Sequence, residues 1–233
     1  MSIERIRIQD VIRCLRGRVI RPEILDTLPP GDARASLADL TRLNRRWGGY
    51  STLQRLLNGM VPASEPFSVL DVGAASGDMG DRIRERYPSA RLTSLDRIPS
   101  HLERAKGRRV AGDAFALPFP HRSFDFVFCS LFLHHFSDEQ IVLLFREFAA
   151  IARRAVLVID LVRHPVAYYF VPFTRRILGW DQVTAHDAPA SVEAAFRPRE
   201  LEALATRAGL RNAQARAFYP AFRIGLTAEV ARP

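Results

Sequence analysis

"VLDVGAASGDMG", residues Val69–Gly80, joins a short apolar run to a glycine-bearing turn and then to residues that can open a helix. A strand, a tight turn and a helix in that order form the usual start of a nucleotide site in an α/β protein. A dinucleotide fingerprint needs glycine at the first, third and sixth positions of the turn. Those positions here hold Gly73, Ala75 and Asp78. Two acids, Asp71 and Asp78, flank the turn, where the positive end of a helix dipole would otherwise favour a phosphate. No Gly-Lys-Ser/Thr follows, so the stretch is not a P-loop. The acids make better sense beside a ligand that carries positive charge and no phosphate, such as S-adenosylmethionine. Gly73 and Gly77 still let backbone approach such a ligand. Ala75 adds one methyl, harmless at negative φ and strained at positive φ. Ala75→Gly is therefore expected to leave binding intact or improve it.

Two more acids fall in register with this turn. Asp96 ends the apolar run "RLTSLD" (residues 91–96), one helix-plus-strand unit beyond Asp71, where a carboxylate can accept from ribose hydroxyls. Dinucleotide sites share that acid, so Asp96 alone does not discriminate. Asp113, in "GDAFALPF", can accept from the exocyclic amine of adenine, with Ala114 and Phe115 as apolar neighbours.

The pattern from Phe67 onward alternates apolar runs with helical stretches, which predicts a parallel sheet with crossover helices. The expected strands are 68–72, 91–95, 109–112, 124–130 and 155–161, with two more in the tail, 213–230. Ser137 and Gln140 form a Ser-x-x-Gln capping box ahead of a helix that carries Ile141, Leu144, Phe145 and Phe148. A last helix over 198–208 ends at Gly209. Residues 163–196 read as irregular. Residues 1–63 read as helical: an apolar face over Arg7–Leu15, a second helix near Ala33–Arg46 ended by Gly48-Gly49, and a third capped by Ser51. "VPASEP", residues 61–66, reads as a linker.

These motifs resemble those of the class I S-adenosylmethionine-dependent methyltransferases. "VLDVGAASGD" is similar to the first motif of that family and "LTSLD" to the second. "GDAFALPFPHRSFDFVFCSLFLHHFSD" is similar to the run through the fourth strand, in the small-molecule branch that includes quinone (ubiquinone and menaquinone) methyltransferases. The resemblance covers roughly residues 67–162. It implies an α/β, Rossmann-like, doubly wound seven-stranded sheet whose last strand is antiparallel. With the chain reading above, a helical lid or extension is expected over 1–63 and an S-adenosylmethionine-binding domain over 64–233, with a substrate-side insertion near 163–196. Asp71, Gly73, Ala75 and Gly77 would line the methionine end of the cofactor, Asp96 and Arg97 the ribose, Asp113 and Ala114 the adenine. Ser130 and Leu131 would stand near the sulfonium and the acceptor.

Methyl transfer to a phenol or enol needs a base, and His134 and His135 follow the fourth strand at the right point. His186 and Asp187 are a second pair. Trp47 in "NRRWGGY" and Tyr168 and Tyr169 in "AYYFVPF" are expected at the acceptor. "SLFL" after the fourth strand lacks the Asn/Asp-Pro-Pro-aromatic motif of base-amine methylation, so the acceptor is expected to be a small aromatic, polyketide or quinone-like molecule of secondary metabolism. No metal is expected. The 233-residue chain carries a net charge of +9, mostly arginine, which keeps an RNA methyltransferase as the alternative. A cofactor-binding regulatory protein without catalysis is the other alternative, and a nicotinamide oxidoreductase is a more distant one. Nucleic acid binding is not expected, since the cations are scattered and no RNA-binding motif appears. Cys14 and Cys129 suit no zinc site or disulfide framework, and neither a secretory leader nor a transmembrane segment is expected. The expected setting is cytoplasmic, as a monomer or homodimer.

Overall fold

The structure is a computed structural model and describes residues 17–25, 28–29, 32–62 and 64–231. The helix expected over Arg7–Leu15 and Cys14 lie outside these residues. Seven strands form one sheet: β1 (Ser68–Val72), β2 (Arg91–Asp96), β3 (Arg108–Ala111), β4 (Phe124–Ser130), β5 (Ala152–Leu161), β6 (Arg211–Phe218) and β7 (Arg223–Glu229). Their order is β3-β2-β1-β4-β5-β7-β6. The first five run parallel, and β7 runs antiparallel to both β5 and β6. The chain winds outward from β1 through β2 to β3, then returns to start β4 on the other side of β1. That reversal opens a crevice at the carboxyl ends of β1 and β4, the place where open α/β sheets bind ligands.

Side-chain alternation assigns the two faces. In β4, Phe126 and Phe128 point to one core and Val127 and Cys129 to the other. In β5, Leu157 and Ile159 alternate with Val156 and Val158 in the same way. Both faces are apolar because helices cover both, so the strands read as continuous hydrophobic runs. α1 (Arg34–Arg46) leads into α2 (Gly49–Asn58), which with α3 (Asp78–Arg86) covers one face, Leu53, Leu57 and Ile83 sharing a core with Phe67, Val69 and Phe126. The other is covered by α4 (Asp138–Ile151) and α7 (Pro198–Arg207), through Phe145, Phe148, Leu201 and Leu204. Leu53, Leu57 and Val61 share a core with β1, so the packing runs across the boundary expected between 63 and 64.

The Ser137 capping box forms as the sequence predicts. Residues 163–196 do not stay irregular. They form α5 (Pro165–Leu178), capped by His164 and closed by Gly179 at φ 64°, and α6 (Gln182–Ala194), capped by Asp181. Internal prolines, Pro172 and Pro189, hid both helices, and α6 buries polar Thr184, Asp187, Ser191 and Glu193, so it lacks an apolar stripe. Ser51 is likewise not a cap, since α2 starts at Gly49 behind Gly48, which sits at φ 88°. No helix among the described residues is long and apolar enough to cross a membrane.

Candidate active site

A cavity of about 610 Å³ opens at the carboxyl edge of the sheet. The segment 17–25, α1, α5 and α6 contribute to its roof. Its floor comes from the loops after β1, β2, β3 and β4 and from the residues entering β7.

At one end the loops supply acids. The Asp96 carboxylate ends β2 with one oxygen accepting from the Ala75 N–H at 3.0 Å and the other from the Ile98 N–H at 2.9 Å. Two backbone donors thus fix it on the wall, and each oxygen keeps a lone pair. Asp113 accepts from the Phe115 N–H at 2.9 Å, and Arg97, Ala114, Ile98 and Gly112 complete this end.

Three residues expected at the cofactor lie elsewhere. Gly73 and Ala75 line the cavity, whereas Asp71, Gly77 and Ser130 do not. Asp71 is fully buried behind the turn, and burial, followed by the charges of Asp78 and Asp96, pushes its carboxyl well above the usual range. It is therefore no surface anion for a cationic ligand. Gly77, at φ 73°, is the N-cap of α3, and a Cβ there would come within 2.5 Å of the Ala105 Cβ, so its bareness serves packing. Ser130 holds a buried hydroxyl with no partner among the described residues, off the cavity wall. Ala75 adopts φ 45°, so it does follow a glycine path. Asp78, awkward for a phosphate, is engaged by the roof: the Asn44 amide donates to it at 3.1 Å, and Thr41 meets Ser76 at 3.1 Å.

The two histidines form a 3₁₀ turn, Leu133–His135, just beyond β4. Both line the cavity, with ring centroids 4.3 Å apart, but their settings diverge. His134 is buried, with Nδ1 2.7 Å from Asp160 on β5 and Nε2 3.6 Å from Glu23. Burial alone would lower its pKa, but Asp160 and then Glu23 outweigh that and raise it to about 10. Burial disfavours the charged carboxylates of Asp160 and Glu23 too, yet His134 holds both below their ordinary values. His134 is thus a locked imidazolium and a poor base. His135 is only partly buried and remains open to the cavity. Among the described residues, Glu23, His134 and His135 also bring ligand-type atoms within 4.8 Å of one another. His134 presents one ring nitrogen to Asp160 and the other to Glu23, so Glu23 and His134 belong first to an ion-pair network.

That network fastens the N-terminal segment over the cavity. Ser191 donates to Glu23, the Ile24 and Leu25 N–H groups donate to Asp187 at 3.1 and 3.0 Å, and Arg18 donates to Asp138 and to the Phe136 and Ala194 carbonyls.

The remaining wall is apolar: Leu37, Leu40 and Leu43 from α1, Trp47, Leu131, and Ala167, Phe170 and Val171 from α5. Trp47 packs edge-on to Phe170 with centroids 4.5 Å apart. Tyr168 and Tyr169, expected here, lie off this wall, because α5 presents Ala167, Phe170 and Val171 at helical i, i+3, i+4 spacing. His186 is exposed and lies off the wall as well, and its neighbour Asp187 takes the cavity position. Sequence reasoning missed Glu23, Asp160 and Arg223. Only Asp160 left a local signal, an acid at the end of the apolar run "VLVID".

A family described as "Methyltransferase domain" matches residues 69–155. Demethylmenaquinone methyltransferase of Roseiflexus sp. (strain RS-1) is 30% identical over 78% of this chain and 88% of its own. The enzyme of the same name from Deinococcus radiodurans is 34% identical, but over 33% of this chain and 35% of its own, so that match spans about a third of the relative. Among solved structures, human N-acetylserotonin methyltransferase in complex with S-adenosylmethionine superposes with a TM-score of 0.65 at 18% identity, covering 96% of this chain and 66% of its own.

Proposed function

The chain belongs to the class I S-adenosylmethionine-dependent methyltransferases, and on that premise we propose that it methylates an oxygen or carbon of a small, apolar, aromatic, quinone-like or polyketide-like acceptor. The observation that carries this reading is a single cavity with two chemically distinct ends. Its volume lies within the range of about 300–1,000 Å³ usual for small-molecule sites.

The residues fit a nucleoside without phosphate. Asp96 retains lone pairs for two ribose hydroxyls, and Asp113, Ala114 and Ile98 suit adenine. A pyrophosphate would meet the carboxylates of Asp96 and Asp113 here. Bound S-adenosylmethionine would supply an electrophilic methyl on a sulfonium leaving group. This chain supplies position and dryness: the leucines of α1, Trp47, Phe170 and Val171 exclude water around the acceptor. His135 is the proton acceptor for a phenol or enol, and the fixed cation of His134 beside it favours the developing oxyanion. The N-terminal segment and α1 act as the lid.

RNA as acceptor is disfavoured because the cavity is roofed and small. Incubation with labelled S-adenosylmethionine and a panel of naphthoquinols, phenols and β-ketoesters tests the reading. Label transfer to one class supports it. Label in RNA, or S-adenosylhomocysteine binding with no transfer to any acceptor, would favour the two alternatives in turn.

A further inference from the structure

Among the described residues, the other buried cations have partners. Arg163 donates to the Ala195 carbonyl at 2.7 Å and to Glu200, and Arg18 donates to Asp138 and two carbonyls. Arg223 differs. It is 3% exposed, its Nε is buried with no partner, and its side chain makes no hydrogen bond or ion pair to any described residue. The acids that influence it, Asp160 and Asp78, are already committed. Asp160 accepts from His134 and from the Leu133 and Leu161 N–H groups, and Asp78 accepts from Asn44 and Ser76.

Its position follows from topology. Because β7 runs antiparallel, its first residue lies opposite Leu161, the last residue of β5, at the functional edge of the sheet. There Arg223 joins Leu161, Ala221 and Phe222 in the cavity wall. An unpaired buried charge is costly to keep, and in apolar surroundings its pull on an opposite charge is strong. Burial drags its pKa down to about 10, so it remains a cation at neutral pH.

We propose that Arg223 is an oxyanion anchor of the cavity, whose guanidinium receives a carboxylate or comparable oxyanion of a bound ligand. Two sources share that chemistry: the amino-acid carboxylate of the cofactor and an acidic group on the acceptor. The inference rests on the functional reading above for the first source only.

Calorimetric titrations of wild type, Arg223→Met and Arg223→Lys distinguish the sources. The probes are S-adenosylhomocysteine, 5′-methylthioadenosine, which lacks the carboxylate, and the pair 3,4-dihydroxybenzoate and its methyl ester. An anchor for the cofactor predicts that Arg223→Met weakens S-adenosylhomocysteine at least roughly tenfold, as loss of a charge-assisted hydrogen bond should. Methylthioadenosine should be unaffected, and lysine should recover part of the loss. An anchor for the acceptor predicts unchanged nucleoside binding and a wild-type preference for the acid over its ester that Arg223→Met removes. Either way Arg223→Met should melt no lower than wild type, since it deletes an uncompensated charge. Should that variant fail to fold, the same loss measured with lysine decides the matter. Titrations unchanged in every variant that folds, whatever the melting temperature, would overturn the proposal. Failure of wild type to bind either nucleoside would instead defeat the cofactor reading, and the acid–ester pair would still report on Arg223.

Discussion

Replacing Ala75 by glycine removes a single methyl from the turn after β1, and the backbone angle says what that should do. Ala75 sits at φ 45°, where the Cβ of an L-residue crowds its own backbone at a cost of about 1–2 kcal/mol. Glycine does not bear that cost, but its freer unfolded chain returns about 0.4–1 kcal/mol. The net expectation is a gain of about 1 kcal/mol. For a chain of this size that is a rise in melting temperature of roughly 2–4 °C. The N–H of residue 75 still reaches Asp96, so the acid proposed to face the ribose stays in place. Thermal and urea unfolding of wild type and Ala75→Gly read the stability term, and calorimetric titration with S-adenosylhomocysteine reads binding. The variant should melt higher and bind as well as wild type or better. A lower melting temperature, or a marked loss of affinity, would refute the reasoning and show that the methyl makes a contact worth more than the strain it imposes.

Other substitutions separate the remaining claims. Gly73→Ala meets both a φ of 67° and the Phe132 ring at 2.5 Å, so unfolding experiments should show destabilisation of about 1–3 kcal/mol. Asp96→Asn should weaken S-adenosylhomocysteine at least roughly tenfold by titration and, since its NH2 must face one of the two backbone N–H donors, also lower stability by about 1–3 kcal/mol in unfolding experiments. His135→Ala should lower kcat by roughly a hundredfold or more on a phenolic acceptor while the KM for the cofactor stays put. The His134 lock makes stability depend on pH in a defined sense. Its pKa is raised from 6.5 to about 10, so its contribution is complete below 6.5 and disappears as pH rises through 10. The depressed Asp160 and Glu23 contribute above their ordinary values, 3.8 and 4.5, and that contribution is lost as acid protonates them. Melting temperature should therefore fall between pH 7 and 10 in wild type, and His134→Asn should flatten that window.

The sheet was legible because its information is local. β1 and β4 begin and end where the apolar runs do, and the Ser137–Gln140 capping box announces α4 within four residues. The acidic end of the cavity was legible for the same reason, since Asp96 and Asp113 each follow a recognisable strand. The rest of the cavity was not, because its members come from distant elements. Nothing near Glu23 marks it as the partner of His134, and Arg223 is one cation among 34 Lys and Arg residues. In "AYYFVPF" the aromatic residues drew attention to Tyr168 and Tyr169. Once α5 is known to be helical, periodicity selects Ala167, Phe170 and Val171 instead. Asp71 shows the opposite limit. Its place at the strand end was clear from sequence, but its burial behind the turn depends on α3, where a Cβ at Gly80 would stand 3.6 Å from the Asp71 carboxylate.

The most direct test of the central claim is a crystal structure with S-adenosylhomocysteine. The ribose hydroxyls should lie within hydrogen-bond distance of Asp96, with adenine between Ile98 and Ala114 and the sulfur facing the space bounded by His135, Leu131 and Trp47. A nucleoside found elsewhere, or a ribose that does not touch Asp96, would contradict the account.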